Sequence, residues 1–197
     1  MNLVDRAKNI LLSPNTEWDV IRNESTTPSD LFTGYAIILA AIPAVAGFIG
    51  YYLIGVSFGF GMFKFDLGIA LTWAVLTYIL SLVSVFVLGW IIDALAPSFG
   101  STKDLNSSLK VAVYSYTASW IAGIFQIIPS LSFLAALASI YSLVLLYIGL
   151  KKVKVVPEDK MIGYFVVTIV AALVLYFVIG AIIGAIVFRG FYTGYGM

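Results

Sequence analysis

The charged residues of this 197-residue chain are gathered into a few short segments, and the stretches between them decide what the chain can fold into. No Asp, Glu, Lys or Arg falls within 31–63, 67–92, 111–150 or 161–188. A helix covers the ~30 Å hydrocarbon core of a bilayer with about 20 residues, while a charge at its centre costs roughly 2.5–3.5 kcal/mol. Each uncharged stretch therefore reads as membrane-spanning. A water-soluble domain is excluded, because 61% hydrophobic residues and a mean hydropathy of +1.04 exceed what its interior can hold.

Three of the stretches hold one helix each. The fourth, 111–150, is about twice the crossing length and is broken at Ile128-Pro129-Ser130, since proline lacks a donor and disfavours helix at the residue before it. The sequence thus predicts an all-α, polytopic integral membrane protein. Its five-transmembrane-helix bundle covers about 31–56, 67–92, 111–128, 131–150 and 162–188. Residues 1–30 form an amphipathic arm, 31–188 the membrane domain and 189–197 an external tail. Met1–Ser13 carries Asp5, Arg6 and Lys8 inside its apolar run and is not expected to be a cleaved leader.

Five crossings divide the chain's Lys and Arg residues very unequally. Arg6, Lys8, Arg22, Lys103, Lys110, Lys151, Lys152, Lys154 and Lys160 fall on one face, and only Lys64 and Arg189 on the other. Positive charge is retained in the cytoplasm, so the N-terminus is expected inside an inner (cytoplasmic) membrane and the C-terminus outside it, in the periplasm. Within the arm, Leu3, Val4, Ala7, Ile10 and Leu11 share one stripe at helical spacing, with Asp5, Arg6 and Lys8 off it, and Ser13-Pro14 ends the pattern. This predicts a helix in the headgroup plane, anchored by Trp18, with docking of a cytoplasmic protein as the sharper alternative. Lys151, Lys152 and Lys154 follow the fourth span and are assigned to lipid headgroups or to a stop signal.

Inside the spans, polar side chains are the first place to look for function. Asp93 abuts the long apolar run of the second span and is either an end anchor or one half of a buried pair with a lysine such as Lys110. Tyr114, Tyr116 and Gln126, with Ser115, Thr117 and Ser119, make the third span the most polar. They serve either as hydrogen-bonding glue between helices or as a hydrated path. Ala36, Ala40 and Ala44, and Gly180 with Gly184, are small-residue stripes suited to close helix packing, within the bundle or between two copies. Gly55, Gly59 and Gly61, with Phe58, Phe60 and Phe63, predict an aromatic loop on the outer face.

With no histidine and no cysteine, the commonest general base, the thiol nucleophile and the usual zinc ligands are missing, and no carboxylates are paired within the spans. No enzyme activity, cofactor or metal is expected. A net charge of +1 offers nucleic acid no attractive field.

Several segments recur in an order that resembles a known family. They are Ile10-Leu-Leu-Ser-Pro14 with Glu17-Trp18 and Ile21; Ala40-Ala-Ile-Pro43 through Gly47-Phe-Ile-Gly50; and Leu95-Ala-Pro97 with Phe99-Gly100. Tyr114-Ser115 with Gly123 and Pro129 follows, then Leu146-Tyr-Ile-Gly-Leu150 with Lys151-Lys152 and Pro157. Together they resemble the Ypt-interacting protein (Yip) domain family, and its bacterial branch more than its Golgi members. In eukaryotes that family comprises non-enzymatic membrane proteins that bind Rab-type GTPases through a cytoplasmic N-terminal region and pair with related proteins. For this chain the resemblance implies the five-span topology and no catalytic centre. The expected role is a membrane organiser or adaptor, with membrane lipids, a second copy or a related membrane protein as partners. The alternative is a small channel or transporter, probed along the third span and enclosed by a dimer.

Overall fold

The structure, a computed structural model, describes residues 2–57 and 61–194. Two short helices come first, α1 (Leu3–Leu12) and α2 (Pro14–Asn23). The Asn2 side chain caps α1 by accepting from the Asp5 N–H at 2.8 Å. Pro14 opens α2, where its missing N–H and fixed φ suit a first turn. A capping box between Thr27 and Asp30 then starts α3 (Pro28–Leu31), which continues through a π turn into α4 (Ile37–Ile49) and a second π turn. Together they form one apolar rod, Pro28–Ile54.

Beyond the rod, β1 (Val56–Ser57) and β2 (Met62–Phe63) pair antiparallel with Val56 opposite Phe63. The expected aromatic loop is tied at its base by this pairing; Phe58, Gly59 and Phe60 lie outside the described residues. Asp66 caps α5 (Leu67–Leu95) through the Ile69 N–H at 2.9 Å. Then come α6 (Leu105–Ser115), α7 (Thr117–Ala122), two 3-10 turns, α8 (Ser132–Val153) and α9 (Glu158–Gly194). Four helical stretches are long and apolar enough to cross a bilayer: Pro28–Ile54, Leu67–Phe99, Pro129–Val153 and Glu158–Val187. The chain is an all-α, multi-pass membrane protein.

The predicted third span differs in form. It starts earlier, at Leu105, and is broken near Tyr116 and at Gly123 instead of running as one helix over 111–128. The Thr117 hydroxyl bonds the Tyr114 carbonyl at 2.7 Å, a local side-chain partner that competes with the helical ladder. Gly123 is pressed onto Pro43, where a Cβ would come within 2.6 Å of the proline Cβ. The broken segment still follows the rod, running parallel to it. Near its start the Tyr35 hydroxyl meets Thr117 Oγ1 at 2.8 Å; near its end a Cβ on Gly50 would lie 2.1 Å from the Gln126 carbonyl oxygen. Because it is packed between the rod, α5 and α8, its backbone breaks are shielded by protein, the condition under which irregular backbone is tolerated at membrane depth.

Residues 189–194, in the expected external tail, continue α9 as helix. One further expectation is corrected: the arm is packed into the bundle and not laid on lipid, with Ala7, Ile10, Trp18 and Ile21 buried in the same core as Leu88, Leu109 and Leu150. The Tyr141 hydroxyl, from α8, donates to the Leu11 carbonyl at 2.7 Å, while Asp19 pairs with Lys152 near the end of that helix. Residues 141 and 152 are about 16 Å apart along α8, so α1 dips into the bundle and α2 climbs out of it. Most of the apolar stripe that was expected to face lipid faces protein instead, because the bundle offers it a complementary apolar floor; Val4 stays exposed.

Candidate functional site

Burying the arm takes Arg6 with it, and the site grows from that one residue. Arg6 is only 5% exposed and lies beside Ala7 and Ile10 on the inward side of α1. Its two terminal nitrogens donate to Glu17, equally buried, and to Glu24, at the end of α2. The guanidinium sits over the Tyr114 ring at 5.4 Å from its centroid, a cation–π placement. Tyr114 in turn packs edge-on against Tyr35 and Trp18. Lys110, one turn before Tyr114, donates to the carbonyls of Ile21 and Glu24, which ends α2 with a buried cation. Charges and rings thus join α1, α2, the rod and α6 at one point.

A second cluster holds the neighbouring loops. Asp93 does not pair with Lys110; its buried partner is Lys154, 3.7 Å away. The Asp93 carboxylate also accepts from the Asp104 N–H at 2.7 Å and the Ser108 hydroxyl at 3.2 Å. Lys154 further donates to the Thr102 carbonyl at 2.8 Å. Lys154 is therefore removed from the lipid-headgroup group: the chain reverses just after α8 and turns this side chain inward, 5% exposed. Burial lowers its ammonium pKa, with Asp93 and Asp104 opposing. For Asp104, burial is outweighed by bonds from Ser107 and Asn106, and its carboxyl titrates below the usual range. Lys151 stays exposed beside Glu158, and Lys152 pairs with Asp19 at 2.7 Å.

The polar residues of the third segment are taken up by neighbouring helices. Ser119 is 2.8 Å from the Ser142 hydroxyl, and the Trp120 indole donates to Ser81 at 3.0 Å. Tyr116 packs against the Trp120 ring, with centroids 5.8 Å apart, and the Gln126 side chain rests against Gly47. Ala36, Ala40 and Ala44 are buried along the rod. Gly180 is exposed with nothing within 4 Å of a Cβ placed on it, and Gly184 is half-buried. Among the described residues no three carboxylates converge as a metal site.

Beside Arg6 lies a cavity of about 360 Å³. Its walls include Arg6, Glu24, Asp30, Gly34, Tyr35 and Tyr114. It sits where the charged arm meets the first apolar stretch, so it is reached from the membrane boundary.

The Yip1 domain model matches residues 8–190, from the middle of α1 into the last turns of α9. The chain belongs to the Yip1 domain family. It is similar to inner membrane protein YohC of Escherichia coli (strain K12), with 34% identity over 142 residues that cover 70% of this chain and 72% of YohC. YohC of Escherichia coli O6:H1 matches to the same extent. No solved structure matches. Relative to this Yip1 domain, Arg6, Glu17, Glu24 and the cavity are what sequence reasoning passed over. One signal was present: at 100° per residue Arg6 falls only about 40° from Ile10, on the edge of the apolar stripe and not opposite it. Its partners, on the next helix and at that helix's end, had no such signal.

Proposed function

We propose that this Yip1 domain protein is a non-enzymatic membrane organiser or adaptor of the inner membrane. It crosses five times, with the N-terminus in the cytoplasm and the C-terminus outside. The broken segment 105–127 is counted as the third crossing because it tracks the rod from Tyr35 to Gly50. Nine basic residues on one face against two on the other support the orientation, and YohC, named an inner membrane protein, supports the location. Its partners are membrane lipids, a second copy or a related membrane protein, and a cytoplasmic protein meeting the face that carries the arm.

One observation carries the preference for an adaptor over a channel. The Thr117 and Ser119 hydroxyls and the Trp120 indole of the third segment are bonded to Tyr35, Ser142 and Ser81, which leaves them serving as interhelical glue. A conducting path needs such groups free to replace an ion's water. Proteoliposomes containing the purified protein should therefore pass K⁺, Na⁺, Cl⁻ and glycerol at the rate of empty vesicles. Flux well above that rate, lost in an Asp93→Asn, Tyr116→Phe double variant, would establish the channel reading instead.

A further inference from the structure

The cavity beside Arg6 has a charge layout that the adaptor role does not use. Two carboxylates line it: Glu24, bonded through one oxygen to Arg6, and Asp30, bonded through one oxygen to Thr27. The lining also includes Asn2 and Leu3, where α1 begins; Asn2 caps the Asp5 N–H, and the N–H groups ahead of it and the positive dipole end of the helix lie there. Arg6 lines it with donors beyond the two engaged by Glu17 and Glu24, since a guanidinium has five. The Tyr35 and Tyr114 rings, 4.8 Å apart, add apolar surface. With one cation and two carboxylates in its lining, the cavity has a surplus of one negative charge.

Carboxylate acceptors and guanidinium donors in one lining, beside two aromatic rings where the arm meets the first apolar stretch, fit a zwitterion. We infer that this cavity binds a phosphoethanolamine headgroup, the chemistry of phosphatidylethanolamine. The primary ammonium lies against Glu24 and Asp30, and the phosphate toward Arg6 and the start of α1. About 360 Å³ falls in the range of small-ligand sites. A choline headgroup has no N–H to give the two carboxylates, and a glycerol headgroup leaves their charge uncompensated. The choice of the cytoplasmic leaflet rests on the orientation proposed above, but the binding chemistry does not.

The test uses the full chain in detergent, titrated with short-chain phosphatidylethanolamine, phosphatidylcholine and phosphatidylglycerol, and with soluble O-phosphoethanolamine, with bound ligand counted by native mass spectrometry. Phosphatidylethanolamine should bind about tenfold tighter than the other two lipids, the size expected when charged groups lose a hydrogen-bonding partner. Gly34→Leu places a side chain in the cavity where a Cβ meets nothing within 4 Å, so it should abolish that preference while leaving thermal unfolding unchanged. Asp30→Asn should lower phosphatidylethanolamine binding and leave phosphatidylcholine binding as it was. Equal binding of the three lipids, or undiminished phosphatidylethanolamine binding in Gly34→Leu, overturns the site. O-phosphoethanolamine binding as tightly as the lipid overturns the lipid source and makes the ligand a soluble zwitterion. Because the assay needs no bilayer orientation, its failure is distinct from a failure of the topology.

Discussion

Arg6→Leu should destabilise the protein by about 3–5 kcal/mol, the cost of removing one partner from a buried ion pair. The reason lies in what is left behind. Glu17 is 5% exposed and has Arg6 as its ion-pair partner, so the variant strands a carboxylate in an apolar setting with water excluded. Glu24 loses the same partner, and Tyr114 loses the cation over its ring. Adding Glu17→Leu to Arg6→Leu should recover a substantial part of the loss, because an apolar pair of similar volume carries no desolvation cost. Thermal unfolding in detergent, followed by size-exclusion of the remaining folded protein, measures both. If Arg6→Leu unfolds like the parent, the arm is not packed into the bundle as described here.

Trp18→Ala should cost a comparable ~3–5 kcal/mol, the range for emptying a large aromatic site in a core. Trp18 is fully buried and lies flat on Gly149, where a Cβ would come within 2.8 Å of the ring. The neighbouring turns of α8 cannot close over the gap, so the space stays empty. Its indole N–H has no hydrogen-bond partner, which makes volume the property that counts. Trp18→Phe should accordingly lose well under half as much as Trp18→Ala, since it keeps a ring and gives up no bond. Gly149→Leu should be as damaging as Trp18→Ala in the parent and less so in the Trp18→Ala background, where the ring is no longer in the way. Additive losses in that pair would contradict the contact.

The parts of the fold written in charge placement were readable from the sequence. A charge is excluded from a crossing helix whatever its neighbours are, so the uncharged stretches located all four long helices, and Pro129 located the break before α8. The interruptions at Tyr116 and Gly123 were not readable, because they depend on Pro43 meeting Gly123 and Tyr35 meeting Thr117 across two segments far apart in sequence. The arm shows the same division. Its helical periodicity was plain, but a stripe such as Ala7, Ile10 and Leu11 is equally at home on lipid or on protein, and periodicity does not say which surface receives it. Trp18 was misplaced for that reason, as an interfacial ring instead of a core residue. At the site, Asp93 was singled out as either an end anchor or one half of a pair with a lysine such as Lys110; the lysine it meets depended on the turn after α8 that carries Lys154 inward. Lys110 and Lys154 look alike as letters; they differ in which carbonyls and carboxylates the bundle holds near them.

The five-crossing topology is the claim on which orientation, leaflet and partner face all depend, and the absence of native cysteine makes it directly measurable. Single cysteines at Lys8, Lys64, Lys103, Ser130 and Lys151 should be tested in intact cells with a membrane-impermeant maleimide. Lys64→Cys and Ser130→Cys should label, while Lys8→Cys, Lys103→Cys and Lys151→Cys should label only after permeabilisation. Ser130 and Lys151 decide the outcome, because the segment 105–127 lies before both. A protected Ser130→Cys with a labelled Lys151→Cys would mean that this segment does not cross, and would contradict the account.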